Sequence, residues 1–484
     1  MSHETYLGYK GYSIYKKSLS LKEQVFIREE LTVKPYMPKS PVQPTPYPIY
    51  RESTRKFYIP RSFGINTFGE PNETKIEDGA PINLKFEGQL RENQTIIVKK
   101  YINSIKNGNF GGLLDIYCGF GKTILALKII EEVGLKTLII VHKGFLVDQW
   151  VERIIQFLPK ARIGRIQGQI IDIEDKDIVI CMLQSLSMKE YPDDQFAGFG
   201  LTIVDEVHHI SAEIFCRALQ KVVTTYVLGL SATMQRKDGL SKVFKMFLGD
   251  IIHKEKREDD QIVAVKAIQY KTMDEDFNEI KYDYRGNPQY STMISKLCTF
   301  NPRSELILHI LINELKINPE QQIMILAHNK NLLVYLYKAI EHRKIATVGY
   351  YIGGMKQNDL KASETKKVIV ATYSMAAEAL DIKTLTTLVM ATPKTDVEQA
   401  VGRILRVKHS SPLIIDIIDQ HTIFKNQWLK RRAFYLKNKY KIIGTDDYKS
   451  NVWTDDKKHE KGKGKGKGKE IVDEIPMGKC LINI

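Results

Sequence analysis

Gly112-Leu-Leu-Asp-Ile-Tyr117, running into Cys118-Gly119-Phe120-Gly121-Lys122-Thr123, decides how this chain is read. The apolar run predicts a buried strand, the glycines a turn, and Lys122-Thr123 the start of a helix. Glycines at Gly119 and Gly121 let a backbone approach phosphate oxygens, a helix N-terminus favours negative charge, and a lysine there neutralises β and γ phosphates. The Thr123 hydroxyl can ligate a Mg²⁺ whose remaining ligands are phosphate and water. An ATP motor is the first expectation. The pattern is incomplete, because the full loop G-x-x-x-x-G-K-[ST] needs a glycine at 116 and the chain has Ile116 there. What survives, G-x-G-K-T, arises by chance in about one chain in a hundred of this length. A plain surface turn between strand and helix is therefore the competing reading, and the rest of the sequence must decide.

Outward from the loop, Leu84 to Lys254 alternates short apolar runs with helical patterns. The runs are Thr137–Val141, Ile178–Cys181, Leu201–Val204 and Tyr226–Leu230, with helices expected at Thr123–Glu132 and Phe145–Phe157. Continuous apolar runs alternating with amphipathic helices predict a doubly wound parallel sheet over 84–254, and so an α/β fold. Residues 255–300 break the rhythm with Lys254-Glu-Lys-Arg-Glu-Asp-Asp260 and the polar stretch Tyr284–Tyr290, and are read as a linker or small insertion. The alternation resumes over 301–444. Helices are expected near Arg303–Leu315, 330–341 and Asp396–Val401, and strands at Ile323–Ala327, Lys367–Ala371, Leu385–Met390 and Pro412–Ile418. A second α/β domain of similar size follows.

Residues 1–83 stand apart as an N-terminal extension. Its stretch Lys34-Pro-Tyr-Met-Pro-Lys-Ser-Pro-Val-Gln-Pro-Thr-Pro-Tyr-Pro48 cannot be helix and reads as an extended connector that packs against the next domain. Residues 445–484 are read as a flexible tail carrying Lys461-Gly-Lys-Gly-Lys-Gly-Lys-Gly-Lys469. Before the tail, Lys425–Lys441 holds seven basic residues and no acid, with Trp428, Phe434, Tyr435 and Tyr440 interleaved. That mixture suits a helix facing nucleic acid, and equally a helix pinned to its own domain by its aromatics.

At 484 residues and 43% apolar content, two or three domains are expected. The net charge of +15 favours a polyanionic partner over none, although a lysine-rich solvated surface gives the same number. Five scattered cysteines without a C-x-x-C pair suit a reducing compartment and speak against structural zinc. Neither a signal peptide nor a membrane-length apolar run is visible, so a soluble intracellular protein without a membrane partner is expected.

The strand Leu201–Val204 ends in Asp205-Glu206-Val207-His208-His209. In a doubly wound sheet ligands bind at the carboxyl ends of strands, where the glycine loop also opens. Asp205 is then placed to complete the Mg²⁺ shell, and Glu206 to orient and deprotonate an attacking water. An acidic helix cap is the plainer alternative. Zinc at His208-His209 is weaker, because adjacent histidines diverge. Ser231-Ala232-Thr233, at the end of the following strand, can bridge Asp205 and His208 to the facing domain. Gln399-Ala-Val-Gly402-Arg403-Ile-Leu-Arg406 places two arginines on one helical face, suited to reach a triphosphate held by the other domain.

G-x-G-K-T, D-E-V-H, S-A-T and Q-x-x-G-R-x-x-R in this order, over roughly residues 85–420, resemble the superfamily 2 DExH helicases. Within that superfamily the motifs are similar to the XPB branch and the poxvirus transcript-release helicase, and the proline-rich N-terminal region and Lys/Ile-rich composition to helicases of large DNA viruses. Arg236-Lys237-Asp238 resembles the Arg-Glu-Asp element of XPB, with lysine in the middle. Leu90-Arg-Glu-Asn-Gln94 resembles the box whose glutamine reads adenine, and Leu146-Val-Asp-Gln-Trp150 the L-x-x-Q-W box. Ala371-Thr372 with Glu378-Ala379-Leu380-Asp381-Ile382 resembles the fifth motif, Ala379 standing where glycine is usual.

The resemblance implies two tandem RecA-like domains and ATP with Mg²⁺ as cofactors. ATP would be contacted by Gln94, Cys118, Gly119, Phe120, Gly121, Lys122 and Thr123. Catalysis would rest on Lys122, Asp205, Glu206, Arg403 and Arg406, and coupling on His208, Ser231, Thr233, Asp381 and Gln399. It implies a DNA partner, with RNA as the alternative, and an association with RNA polymerase or transcription factors. The expected place is the cytoplasmic viral factory or the virion for a viral protein, and the nucleus for a cellular one. A scaffold with a vestigial ATP site is the reading from another functional class.

Overall fold

The computed structural model describes residues 3–35, 43–117, 119–206, 212–232, 241–255, 262–284, 286–378, 382–405, 409 and 411–456. The chain divides into two compact units, Met1–Glu258 and Asp259–Ile484.

The first unit is built on an eight-stranded sheet. Its spatial order is Ile170–Asp172, Ile163–Gln167, Ile178–Met182, Thr137–Val141, Leu201–Val204, Tyr226–Ser231, Gly111–Ile116, Ile251–Glu255. All neighbours are parallel except the exposed edge strand Ile170–Asp172. Thr137–Val141 and Leu201–Val204 are buried along their whole length, as strands covered on both faces must be. The period-two alternation divides their side chains between two cores. Leu114, Ile116, Ile139 and Val141 join the helices Glu92–Lys106, Lys122–Val133 and Gly144–Phe157, while Leu113, Leu138, Ile140 and Val204 face the other side.

That other side is where the N-terminal extension packs. Thr5–Gly8, Gly11–Tyr15, Lys56–Ile59 and Arg51–Glu52 form a four-stranded antiparallel sheet whose Tyr12, Ile14 and Phe57 share one apolar core with Leu138 and Ile140. The helix Leu21–Glu30 starts with a capping box between Ser20 and Glu23. Arg61 donates to the Thr224 and Thr225 carbonyls at 3.1 and 3.0 Å, tying the small sheet to the large one. Within the proline-dense stretch, Tyr47–Pro48 pairs with Thr32–Val33.

The second unit carries another eight-stranded sheet, in the order Val348–Tyr351, Val368–Thr372, Gln322–Ala327, Leu385–Met390, Leu413–Asp419, Ala264–Tyr270, Lys441–Thr445, Thr454–Asp455. Only the last strand is antiparallel. The segment 255–300, expected as a linker or insertion, supplies the interior strand Ala264–Tyr270 and the helix Tyr290–Thr299. Lys266 and Gln269 interrupt that strand's apolar run, so it lacks the continuous signal of a buried parallel strand. The sheet also continues past 444 into Thr454–Asp455, inside the expected tail. Residues 457–484, with the Lys/Gly repeat, lie outside the described residues.

Two buried ion pairs fasten helices to Leu413–Asp419. Arg303, on the helix Asn301–Ile317, grips Asp419 with contacts of 2.6 and 2.8 Å, and Arg431, on Thr422–Lys437, grips Asp416 at 2.7 and 2.8 Å. Positions 416 and 419 differ by an odd number, so the two helices are held on opposite faces of the strand. The Tyr435 hydroxyl adds a hydrogen bond to Asp416 at 2.9 Å, and Trp428, Tyr435 and Tyr440 are buried. Of the two readings of the basic helix, the structure therefore realises the one in which these aromatics pin it. Its lysines 425, 430 and 437 remain exposed.

Candidate nucleotide-binding site

The strand Gly111–Ile116 feeds the turn and the helix Lys122–Val133, as the opening stretch predicts. Gly119 and Gly121 have φ of +87° and +99°, in the region that favours glycine. At Gly121 a Cβ would also stand 2.7 Å from the Gln94 side-chain nitrogen. The Phe120 ring is buried edge-on to Tyr117, with centroids 5.3 Å apart. Its carbonyl accepts hydrogen bonds from Gln94 Nε2 at 2.8 Å and from Arg91 Nη2, and the Arg91 guanidinium lies over the ring at 5.1 Å. Gln94 is itself buried, its Oε1 accepting the Arg91 backbone N–H at 3.0 Å. In this structure it braces the glycine loop from behind.

Lys122 and Glu206 meet in front of the loop, with Nζ 2.6 Å from Oε1. Glu206 has φ +50°, a left-handed turn immediately after the strand Leu201–Val204, in a region where a non-glycine residue is uncommon. Asp205 is buried and takes one hydrogen bond, from the Trp150 indole N–H to Oδ2 at 2.9 Å. Burial first, and the Glu206 charge second, push its carboxyl up to about 6; Lys122, the Trp150 bond and His142 oppose them. Thr123 stands half-buried in the first turn of the helix. Ser231 ends the strand Tyr226–Ser231, buried and in register with Asp115, which pairs with Lys254 at 2.8 Å.

In the second unit, Gln399 and Arg403 share one face of the short helix Glu398–Ile404, four residues apart, and Arg403 is buried. Cys118, His208, Thr233, Asp381 and Arg406 lie outside the described residues, as does Arg236-Lys237-Asp238. Arg91 and Trp150 are the additions that sequence reasoning did not assign to the site. Trp150 carried only a weak signal, a polarisable ring within a buried amphipathic helix whose N–H must find an acceptor.

The donor set fits a Mg²⁺ carried by a nucleotide. Among the described residues no cluster of three or more His, Cys, Asp or Glu could hold a metal alone. A single carboxylate with a neighbouring hydroxyl suits an ion that takes its other ligands from phosphate and water. Asp205 and Thr123 would hold it, and it would supply charge neutralisation at the transferring phosphate.

Residues 87–236 match the family model described as type III restriction enzyme, res subunit. Over 446 residues, 89% of this chain and 85% of the relative, the chain is 35% identical to a protein of Acanthamoeba polyphaga mimivirus that carries the name of an ATP-dependent RNA helicase. The chain belongs to the superfamily 2 helicases. A protein of Invertebrate iridescent virus 6 with the name of a helicase is 28% identical over 79% of this chain and 88% of its own length. An African swine fever virus protein, also named as an ATP-dependent RNA helicase, is 25% identical over 68% of this chain and 69% of its own length. This superfamily 2 chain is thus a helicase-type ATPase with relatives in large DNA viruses, and its two sheets are the tandem RecA-like domains of that fold. No helix of the described residues is long and apolar enough to cross a membrane.

Proposed function

We propose that the chain is an ATP-dependent translocase or helicase whose hydrolysis is stimulated by nucleic acid, acting on DNA in transcription or repair. The observation that carries this reading is the convergence of Lys122 with the adjacent Asp205 and Glu206, from two segments distant in sequence, at the carboxyl ends of the strands Gly111–Ile116 and Leu201–Val204. Lys122 and the glycine loop receive the β and γ phosphates, Asp205 and Thr123 hold Mg²⁺, and Glu206 orients the attacking water. Arg403 and Arg406 supply positive charge to the transferring phosphate. Contact with the polymer is mainly to phosphate and sugar, hence sequence-tolerant and sensitive to salt. RNA polymerase or transcription factors are the protein partners this role implies, and for a viral protein the cytoplasmic factory or the virion is the place.

The second reading is an RNA helicase, favoured by the names that the mimivirus and African swine fever virus relatives carry. ATP turnover by the purified full chain, measured with duplex DNA, single-stranded DNA, RNA and a stalled transcription complex, separates the two. Strongest stimulation by DNA or by the stalled complex is expected. Stimulation by RNA alone would transfer the activity to RNA. Turnover indifferent to every polymer would leave a scaffold with an ATP site.

A further inference from the structure

We propose that Trp150 is a positioning residue for the ATPase, its indole N–H fixing the orientation of the Asp205 carboxylate so that one oxygen stays directed at the Mg²⁺ of the bound nucleotide. This rests on the reading of Asp205 as the Mg²⁺-holding acid. The contact is short and enclosed: Nε1 lies 2.9 Å from Oδ2, Trp150 is 1% exposed and Asp205 7%. An indole has one N–H and no acceptor, so the donor cannot swap roles or rotate away as a hydroxyl could. Among the described residues Asp205 Oδ1 has no hydrogen-bond partner in the protein. One oxygen is therefore held while the other stays open to a ligand.

The placement follows from the sheet. Thr137–Val141 lies directly beside Leu201–Val204, with Leu201 opposite Thr137 and Val204 opposite Ile140, and the Asp205 N–H continues that pairing to the Ile140 carbonyl at 3.0 Å. Trp150 sits on the helix Gly144–Phe157 that follows the first of these strands. The acid is therefore anchored to that strand through its backbone and to the following helix through its side chain. Trp150 also belongs to the apolar core with Leu146 and Ile154, so the plainer account is that it fills space and Asp205 merely satisfies its N–H. A space-filling role survives replacement by phenylalanine, whereas a positioning role does not.

The test uses the full chain and Trp150→Phe, which keeps an aromatic ring and removes the donor. The Mg²⁺ concentration for half-maximal ATP turnover is expected to rise about tenfold and kcat to fall, with the KM for ATP at saturating Mg²⁺ unchanged. Binding of the hydrolysis-resistant analogue AMP-PNP, followed by calorimetry, is expected to lose most of its enhancement by Mg²⁺ while its metal-free affinity in EDTA is kept. An unaltered Mg²⁺ requirement would overturn the proposal, as would an equal loss of metal-free affinity. A second measurement needs no substitution at Trp150. The three tryptophans, 150, 428 and 453, give three indole N–H signals in a ¹⁵N-labelled sample, assigned by Trp428→Phe and Trp453→Phe. The Trp150 signal is expected to shift when Mg²⁺ is added to the AMP-PNP complex, and a stationary signal would refute the role. Full turnover by Lys122→Ala would remove the ATP-site reading beneath it, whereas an inactive Lys122→Ala beside an unaltered Trp150→Phe removes only the part given to Trp150.

Discussion

The two sheets each bury aspartates within or just beyond a parallel strand, and partner them in opposite ways. In the second unit Asp416 accepts two hydrogen bonds from Arg431 and one from Tyr435, Asp419 accepts two from Arg303, and both acids are fully buried. In the first unit Asp205, nearly as buried, accepts one hydrogen bond from a neutral indole, and Glu206 is occupied by the very lysine that a phosphate would claim. Burial and charge are alike in the two places. What differs is the partners: the carboxylates of the second unit are spent on arginines, while the Asp205 carboxylate takes a single hydrogen bond among the described residues and keeps lone pairs that an ion could use. A buried carboxylate with few protein partners keeps the capacity to take a ligand, and one matched to arginines does not.

That contrast can be broken most severely at Lys122. Lys122→Ala is expected to lower ATP turnover by about 10³-fold or more, and Glu206→Gln by about 10²- to 10⁴-fold, with nucleic-acid binding retained in both. A phosphate-release assay beside a filter-binding titration reads the two properties separately. Arg403→Ala should follow, slowing hydrolysis by about 10³-fold while ATP affinity changes little. A loss confined to affinity would take the transition-state role away from it.

On the other side of the comparison, Asp416→Asn leaves the Arg431 charge buried without its carboxylate and is expected to cost about 3–5 kcal/mol of stability, with turnover per folded molecule unchanged. Urea unfolding followed by tryptophan fluorescence measures it. The same substitution at Asp205 should act in the opposite direction. Its folded-state pKa, pushed up to about 6 from an ordinary 3.8, means that the folded state holds its proton more tightly than the unfolded chain. Without nucleotide this group's contribution to stability therefore falls as pH rises from about 4 through 6. Asp205→Asn should stabilise the nucleotide-free protein at pH 7 by about 1–3 kcal/mol, flatten that pH dependence, and abolish turnover.

The smallest effect is expected at the surface of the second unit, where Arg343 and then Tyr335 hold the Glu305 carboxyl down to about 2. A lowered pKa contributes stability that is present above pH 4.5 and lost as pH falls towards 2. The pair is nearly half exposed, so Arg343→Ala should shift thermal unfolding only slightly at neutral pH, and the difference from the parent should vanish in acid.

Much of the molecule was legible residue by residue. The runs at 137–141, 201–204, 323–327 and 385–390 are strands because a sheet covered by helices on both faces selects uninterrupted apolar segments. Ala264–Tyr270 escaped because it mixes polar residues into a buried strand, and the N-terminal sheet because its strands are short and the prolines between them dominate the local reading. At the candidate site, that Lys122 would meet the acids after Leu201–Val204 was legible from the motif order. The Gln94 and Arg91 hydrogen bonds to the Phe120 carbonyl and the Trp150 bond to Asp205 were not, since they join positions 26 to 55 residues apart.

The sequence by itself determined the strand, glycine turn and helix of the phosphate loop, the acids that follow the fourth apolar run, and the superfamily to which their order belongs. Each of these rests on local chemistry: which residue can turn, which can start a helix, which carries charge. Only the tertiary structure decided how each charge is partnered. It set Lys122 against Glu206, left Asp205 with a single donor among the described residues, and matched Asp416 and Asp419 to buried arginines. A charged group's partners are chosen by packing between segments distant in the chain, and the number of partners, more than residue type, separates the acid left with capacity for a ligand from the acid that holds a fold.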